Sequence, residues 1–412
     1  MKKYVDKGII ETSKYQHRSF HKMKLVLFKN GVETQEFFSL ELAKTFKIIG
    51  YDIFFYDLLK EERSYIELTD FCKNGNVVMF TFNFNGIAGE RYLYNVGGNF
   101  WDEHQIPCYN MVVDHPFYYH QYIENTPKIY YQISIDRFHE AYMKRFFPAV
   151  GLGGFLPLGG THLETGIALI PMKERPMDIV FTGNYTRPDT FDKFIAHLDQ
   201  ESIDFYHSIL DELIASPGLR LEDLAEIRLK EELGQISEDE LKHCYKNMIF
   251  IDLSVRFHFR ALAVKELVDN GFKVNVFGAG WEALDCMHPE NIINAGGVNS
   301  LKCLEVINQS KISLNVMPWF KDGAHDRIFN SMLNGAVSLS DESIYLREQF
   351  CDGKDIKFYD LAHMDKIPYI AEEILKNQDW MADMANNGRI KAQNKHSWEC
   401  RAKVIDEIIR KY

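Results

Sequence analysis

Four polar residues stand close together in the middle of the stretch KISLNVMPWFKDGAHDRIFNSMLNGAVSLSDES at residues 311–343. They are His325, Asp326, Arg327 and Asn330. The stretch reads as strand, loop, helix, strand. Ile312, Leu314 and Val316 alternate with polar partners, as in a strand. Pro318, Lys321, Asp322 and Gly323 break that pattern. From Asp326 the spacing is helical, with Ile328, Phe329, Met332 and Leu333 apolar, and Gly335 sits where a helix ends. His325, Asp326 and Arg327 therefore fall at a helix N-terminus, where free backbone N–H groups and a partial positive charge attract anions. Gly323, a histidine and an arginine there make a cradle for a diphosphate. A capped helix with Arg327 in a surface ion pair accounts for the same residues.

The second half of the chain offers three more polar strand ends. Gly183, Asn184 and Arg187 follow MDIVFT. Gly278, Gly280 and Trp281 follow KVNVF. Val298 follows the third. Ligands of open parallel sheets bind beyond the carboxyl ends of the strands, so four such ends in series predict one crevice. Glycine lets a ligand approach the backbone, and arginine offers forked donors to phosphate oxygens. For Trp281 and Trp319, a core position is the stronger reading and base or sugar stacking the weaker.

The first half is less pointed. The strand IPCYNMVV ends in Asp114 and His115, either of which suits general-base chemistry on a hydroxyl. Asp114 as a turn cap before Pro116, with His115 and His120 packed inside, is the stronger reading. Asp136 reads as a helix N-cap, with His139 in the helix that follows.

The elements that must position these residues form two α/β units. Strands are expected at 24–28, 51–56, 76–83, 106–113 and 129–135, then at 177–182, 273–277, 292–295, 312–316, 336–339 and 356–359. Helices fall between them. Residues 148–176, rich in Gly and Pro, read as an interdomain connection. Residues 189–248 read as a helical insertion whose many Glu and Lys form solvated faces.

The 412 residues fit two domains. A net charge of -12 disfavours general nucleic-acid or anionic-membrane binding, which needs a positive field. Seven scattered cysteines without a CxxC pair read as cytoplasmic thiols, not as a disulfide frame or zinc site. Residues 1–22 are polar and basic, without the apolar core of a signal peptide. No apolar run approaches the 20 or so residues of a membrane span.

The 311–343 stretch resembles the donor-binding segment of GT-B glycosyltransferases of the "glycosyl transferases group 1" kind. It is most similar to a bacterial branch with CgeB-like spore-maturation and clostridial proteins. His325-x-Arg327, then Phe329, Met332, Gly335, Ser340 and Asp341, match that branch. Relatives carry a glutamate just after the Phe, the second acid of an E-x7-E motif; here that position is Asn330, and the first acid falls near Asp322. The resemblance covers most of residues 177–360, and VVDHPFYYH and SIDRFHEAYMKRFFP add a weaker likeness in the first half.

The resemblance implies a GT-B fold, two Rossmann-like domains facing across a cleft. Residues 1–165 would form the acceptor domain and 176–395 the nucleotide-sugar domain. Residues 396–412 would form a helix returning to the first. It implies sugar transfer from a UDP- or GDP-sugar, with retention, no metal and no cofactor, to an acceptor the sequence does not name. Asp114, His115 and His325 would be catalytic. Gly183, Asn184, Arg187, Gly278, Gly280, Trp281, Val298, Asp326, Arg327 and Asn330 would hold the donor. A non-catalytic nucleotide-sugar or partner-binding protein, or a sugar-nucleotide epimerase, are the alternatives.

Overall fold

The computed structural model describes residues 22–164 and 167–412. The reading of the basic N-terminal stretch thus lies outside the described residues, except for Lys22. The first sheet is built from β1 (Lys24–Lys29), β2 (Asp52–Asp57) and β3 (Val77–Phe82). A short hairpin of β4 (Tyr94–Asn95) and β5 (Gly98–Asn99) follows, then β6 (Cys108–Val112), β7 (Tyr130–Ser134) and β8 (Gly151–Phe155). The six long strands run parallel in the order β2-β1-β3-β6-β7-β8. The second sheet takes β9 (Met177–Thr182), β10 (Val274–Phe277), β11 (Ile292–Asn294), β12 (Ser310–Asn315), β13 (Val337–Asp341) and β14 (Lys357–Tyr359). It is also all parallel, in the order β11-β10-β9-β12-β13-β14. Every residue of β3 is buried. That is the pattern of a parallel strand covered on both faces, and it explains the unbroken run VVMFTF.

One strand is a correction. β8 lies inside the Gly-rich run expected to be interdomain connection. A Cβ on Gly151 would stand 2.4 Å from the Tyr130 carbonyl oxygen, and one on Gly153 would stand 2.8 Å from Ile133. The glycines are there because the strand packs too closely against β7 for side chains.

The inserted helices Gln200–Ala215, Leu221–Leu233 and Glu238–Tyr245 follow β9 in sequence but cover the first domain. Leu224, Leu229, Leu241 and Tyr245 share an apolar cluster with Phe117, Tyr142 and Phe146. Arg145 of the first domain clasps Glu226 and Glu238. Most acidic residues of the insertion do face solvent, as their number predicts. Glu222 does not: only 14% of its side chain is exposed.

The last helix, Trp398–Lys411, returns to the first sheet. Trp398 packs on Phe38 and Phe82 at 4.8 and 5.8 Å, and Tyr51 donates to Asp406 at 2.6 Å. The two crossings between domains run side by side, Gly160 N–H donating to His396 O and Trp398 N–H to Gly160 O. The strand ends of the two sheets meet at the cleft, where Asp136 bridges Gly323 in antiparallel fashion. No helix among the described residues is long and apolar enough to cross a membrane.

Candidate active site

The helix Asp326–Leu333 begins where the loop after β12 ends, and His325 caps it. The ring Nδ1 of His325 accepts from Arg327 N–H at 3.2 Å and lies 2.7 Å from Asp326 Oδ1. Burial and the nearby Arg327 push this imidazole below its ordinary range, although Asp326 pulls the other way. Arg327 is not on the surface. It reaches back beneath the loop, its Nε donating to Thr182 O at 2.6 Å and its Nη1 to Asn315 Oδ1 at 2.8 Å. These anchors are the ends of β9 and β12, and both are neutral. Buried to 7% exposure, Arg327 has its charge disfavoured by desolvation, an effect Asp326 opposes.

Two further arginines meet it from the helix Ile249–Asp269, which packs ahead of β10. Arg256 and Arg260 are one turn apart and therefore share a face. Arg256 donates to Asp252 at 3.0 Å, stacks on Trp319 at 4.0 Å and faces Asp114 of the first domain at 3.8 Å. Burial works against its charge, but Asp252, Tyr118 and Asp114 outweigh burial. Arg260 donates to Asn184 O at 3.1 Å. Burial, then the positive charges of Arg327 and Arg256, push Arg260 well below the usual arginine range. The Nε–H groups of both Arg256 and Arg260 are buried without a hydrogen-bond partner. Three guanidiniums thus converge on one cleft of about 330 Å³. Buried like charges of this kind are costly unless an anion joins them.

The structure brings most of the expected residues to this cleft. Asp114, Gly183, Asn184, Gly278, Val298, His325, Asp326, Arg327 and Asn330 all line it. Asn184 and Asn330 have structural duties too. Asn184 Oδ1 accepts from Ala279 N–H at 2.9 Å. Asn330 donates to Asp326 at 2.9 Å and accepts from Thr161 N–H at 2.8 Å, tying the helix to the interdomain crossing. Asp114, at the end of β6, accepts from Asn83 and from Tyr119, each at 3.0 Å.

Four expected residues stand elsewhere. Arg187 is exposed and clasps Asp189 at 2.6 Å, because the chain turns outward at Pro188. Trp281 is 1% exposed, stacks on Tyr185 and donates to Gly183 O at 2.8 Å, so it shapes the glycine turn from behind. Gly280, at φ +89, packs against the Tyr185 carbonyl. His115 turns away from the cleft: its Nδ1 accepts from Phe117 N–H at 3.2 Å and its Nε2 faces Glu222 at 3.6 Å. Near Asp322, where the first acid of E-x7-E would fall, the carboxylate is taken by Arg137 at 3.0 Å.

Arg256 and Arg260 were missed by sequence reasoning. The readable signal was two arginines four residues apart among Phe257, Phe259 and Ala261, a charged pair on a helix with little other reason to carry it. Among the described residues, no group of three or more His, Cys, Asp or Glu is arranged to hold a metal ion.

Sucrose-phosphate synthase from Thermosynechococcus elongatus superposes with a TM-score of 0.53 at 10% identity, over 95% of this chain and 99% of that one. An α-glucosyltransferase, solved with UDP-glucose and DNA containing an abasic site, gives 0.52 at 11% identity, over 94% and 99%. HepE of Anabaena, solved with UDP-glucose, gives 0.51 at 10% identity, over 94% and 99%. The chain has a GT-B fold. Residues 256–407 of this GT-B chain also match the family model described as glycosyl transferase-like. That segment includes Arg256, Arg260 and the His325–Asn330 junction. No curated protein matches the sequence.

Proposed function

We propose that the chain is a glycosyltransferase that moves a sugar from a nucleotide-diphosphate donor to a hydroxyl acceptor. The observation that carries this reading is the convergence of Arg256, Arg260 and Arg327 beside the N-terminus of the helix Asp326–Leu333, in one interdomain cleft. An anionic leaving group is what such a site stabilises as its charge develops. Cations and helix dipole together offset a diphosphate, which supports metal-independent transfer. A UDP-sugar is the favoured donor, since HepE and the α-glucosyltransferase hold UDP-glucose in the same fold.

In the reaction the acceptor oxygen bonds to the anomeric carbon, the bond from that carbon to the diphosphate oxygen breaks, and the acceptor loses its proton. Asp114, on the opposite wall, is the carboxylate placed to take the proton or to orient the hydroxyl. His325 contacts the phosphate or the sugar. Retention, and the spore-maturation branch, rest on the resemblance around His325 and Arg327. Seven free cysteines support residence in the cytoplasm.

Asn330, bonded to Asp326 and Thr161 where relatives carry a second acid, favours one alternative: a protein that binds the nucleotide sugar without turning it over. Thermal stability with UDP, GDP and their sugars separates the outcomes. A ligand at a hundredfold its Kd adds about 2.7 kcal/mol. A shift that disappears in Arg327→Ala, together with slow donor hydrolysis, supports transfer. A shift without hydrolysis or transfer supports binding alone, and no shift with any nucleotide overturns both.

A further inference from the structure

A second cavity lies behind Trp319, under the inserted helices. His115, His139, Glu222, Asp252, Trp319 and Lys321 are among its walls. Its inner space is about 50 Å³, enough for a few waters or one end of a small polar molecule. Phe138, Arg220 and Lys321 also border a wider chamber of about 720 Å³ that opens to the surface. Trp319 borders the arginine cleft as well, and Phe320 borders both that cleft and the wider chamber. The donor cleft and this second chamber are thus neighbours across one loop.

Two polar atoms in the inner cavity are without hydrogen bonds. They are Nδ1 of His139, a residue 3% exposed, and Nε2 of His115, a residue 9% exposed. Buried polar atoms of this kind are uncommon and call for an explanation. Burial, then His115, lower His139 to about 4, so its ring is neutral and can donate or accept. Burial opposes the charge of Glu222, but His115 and Arg220 outweigh it and bring the group down to about 2. Glu222 is therefore a carboxylate that accepts. Lys321 supplies donors and holds Pro217 O.

Acidic side chains outnumber basic ones here. Asp136, Glu222 and Asp252 are set against Arg220 and Lys321 in the inner cavity, and carboxylates also prevail in the wider chamber, whereas the neighbouring cleft gathers three arginines. A phosphate is favoured in the cleft and not in the chamber. A neutral ligand with several hydroxyls, each both donor and acceptor, matches the neutral imidazole of His139 beside a carboxylate and an ammonium. Phe117, Leu219 and Leu221 give its C–H groups an apolar wall.

We propose that this chamber and the inner cavity that adjoins it form the acceptor site, that the acceptor is a neutral carbohydrate, and that His139 and Glu222 recognise the hydroxyls at the end that enters the inner cavity. The proposal rests on the glycosyltransferase reading. It makes the insertion a part of the acceptor site: Glu222 comes from the donor half of the sequence and meets two histidines of the other half.

The test is saturation-transfer NMR on the full chain with UDP and, separately, with methyl glycosides of glucose, galactose, mannose and N-acetylglucosamine, and with methyl glucuronide. Native protein, His139→Phe and Glu222→Gln are compared. UDP signals are expected in all three proteins. At least one neutral glycoside should give a signal with the native chain, exceed the glucuronide, and fall at least fivefold in both variants. Glycoside signals unchanged in both variants, a preference for the glucuronide, or no glycoside signal while UDP binds would each overturn the proposal. Loss of the UDP signal from native protein would instead overturn the donor reading, and the glycoside comparison would still stand by itself.

Discussion

Asp114 of the first domain and Arg256 of the second face each other across the cleft, Oδ1 to Nη1 at 3.8 Å. Arg256 is thereby shared between a carboxylate of the acceptor side and a cleft that gathers guanidiniums. A diphosphate entering the cleft competes with Asp114 for Arg256. Asp114→Asn removes that competitor while leaving Asn83 and Tyr119 a polar partner. The variant should bind UDP about three- to tenfold more tightly, a change of about 1 kcal/mol for a partly exposed pair. Its turnover should fall, because an amide cannot take a proton. Calorimetric titration with UDP, alongside initial rates, checks both. Weaker UDP binding in the variant would mean that Asp114 holds the donor instead of opposing it.

The three cleft arginines and Arg187 make a graded set. Arg260→Ala and Arg327→Ala should each weaken UDP binding by about 10- to 100-fold, the scale of one or two lost charge-assisted hydrogen bonds. Arg327→Ala should also destabilise the fold, since Thr182 O and Asn315 lose their donor. Arg187→Ala should leave UDP affinity within about twofold, because the side chain is 60% exposed and paired with Asp189. A large effect at Arg187 would place the donor further out along the β9 turn.

How the sequence announces each part depends on the range of the interaction. The parallel sheets were legible because buried strands show as short apolar runs such as VVMFTF or as alternation such as KISLN. The β12–helix junction was legible because a histidine, an aspartate and an arginine fall within three residues, with His325 as the cap. β8 was not, because its glycines answer to the backbone of β7 and a local reading sees only a linker. Arg187 and Arg260 exchanged roles for the same reason: nothing near Arg187 shows that Pro188 turns it outward, and nothing near Arg260 shows that Asn184 waits for it. His115 and Glu222 are 107 positions apart in sequence and meet only because the inserted helices fold over the other domain. A solvated face was the natural expectation for any single glutamate there.

The glycine turns that floor the cleft are packed backbone to backbone. A Cβ on Gly278 would stand 2.1 Å from Gly183 O and 2.8 Å from Asn184 N. Neither is the end of a flexible side chain, so the turn itself must move. Gly278→Ala should cost about 2 kcal/mol or more and push Gly183 and Asn184 toward the donor. Urea unfolding and UDP titration together test this: both should worsen. A stable variant with native affinity would show that the two turns can separate without harm.

Asp341 ends β13 at 2% exposure, with Oδ1 accepting from Met317 N–H at 2.8 Å and Oδ2 buried without a partner. Burial raises its carboxyl to about 7, against the opposing pull of the Met317 N–H and of Lys321. The unfolded chain gives up this proton near pH 3.8. Between these values the folded state binds more protons than the unfolded one, so stability falls as pH rises. The contribution of the neutral form is complete below about pH 3.8 and lost by the time pH passes about 7. Asp341→Asn mimics the neutral form at every pH, keeps an oxygen for Met317 and removes the loss. Its advantage over the native chain should grow by about 3 kcal/mol between pH 5 and pH 8, from the 1.36 kcal/mol that each pKa unit represents. Urea midpoints of the two proteins at both pH values measure that difference. A constant gap would show that Asp341 is ionised throughout, with Lys321 as its true partner.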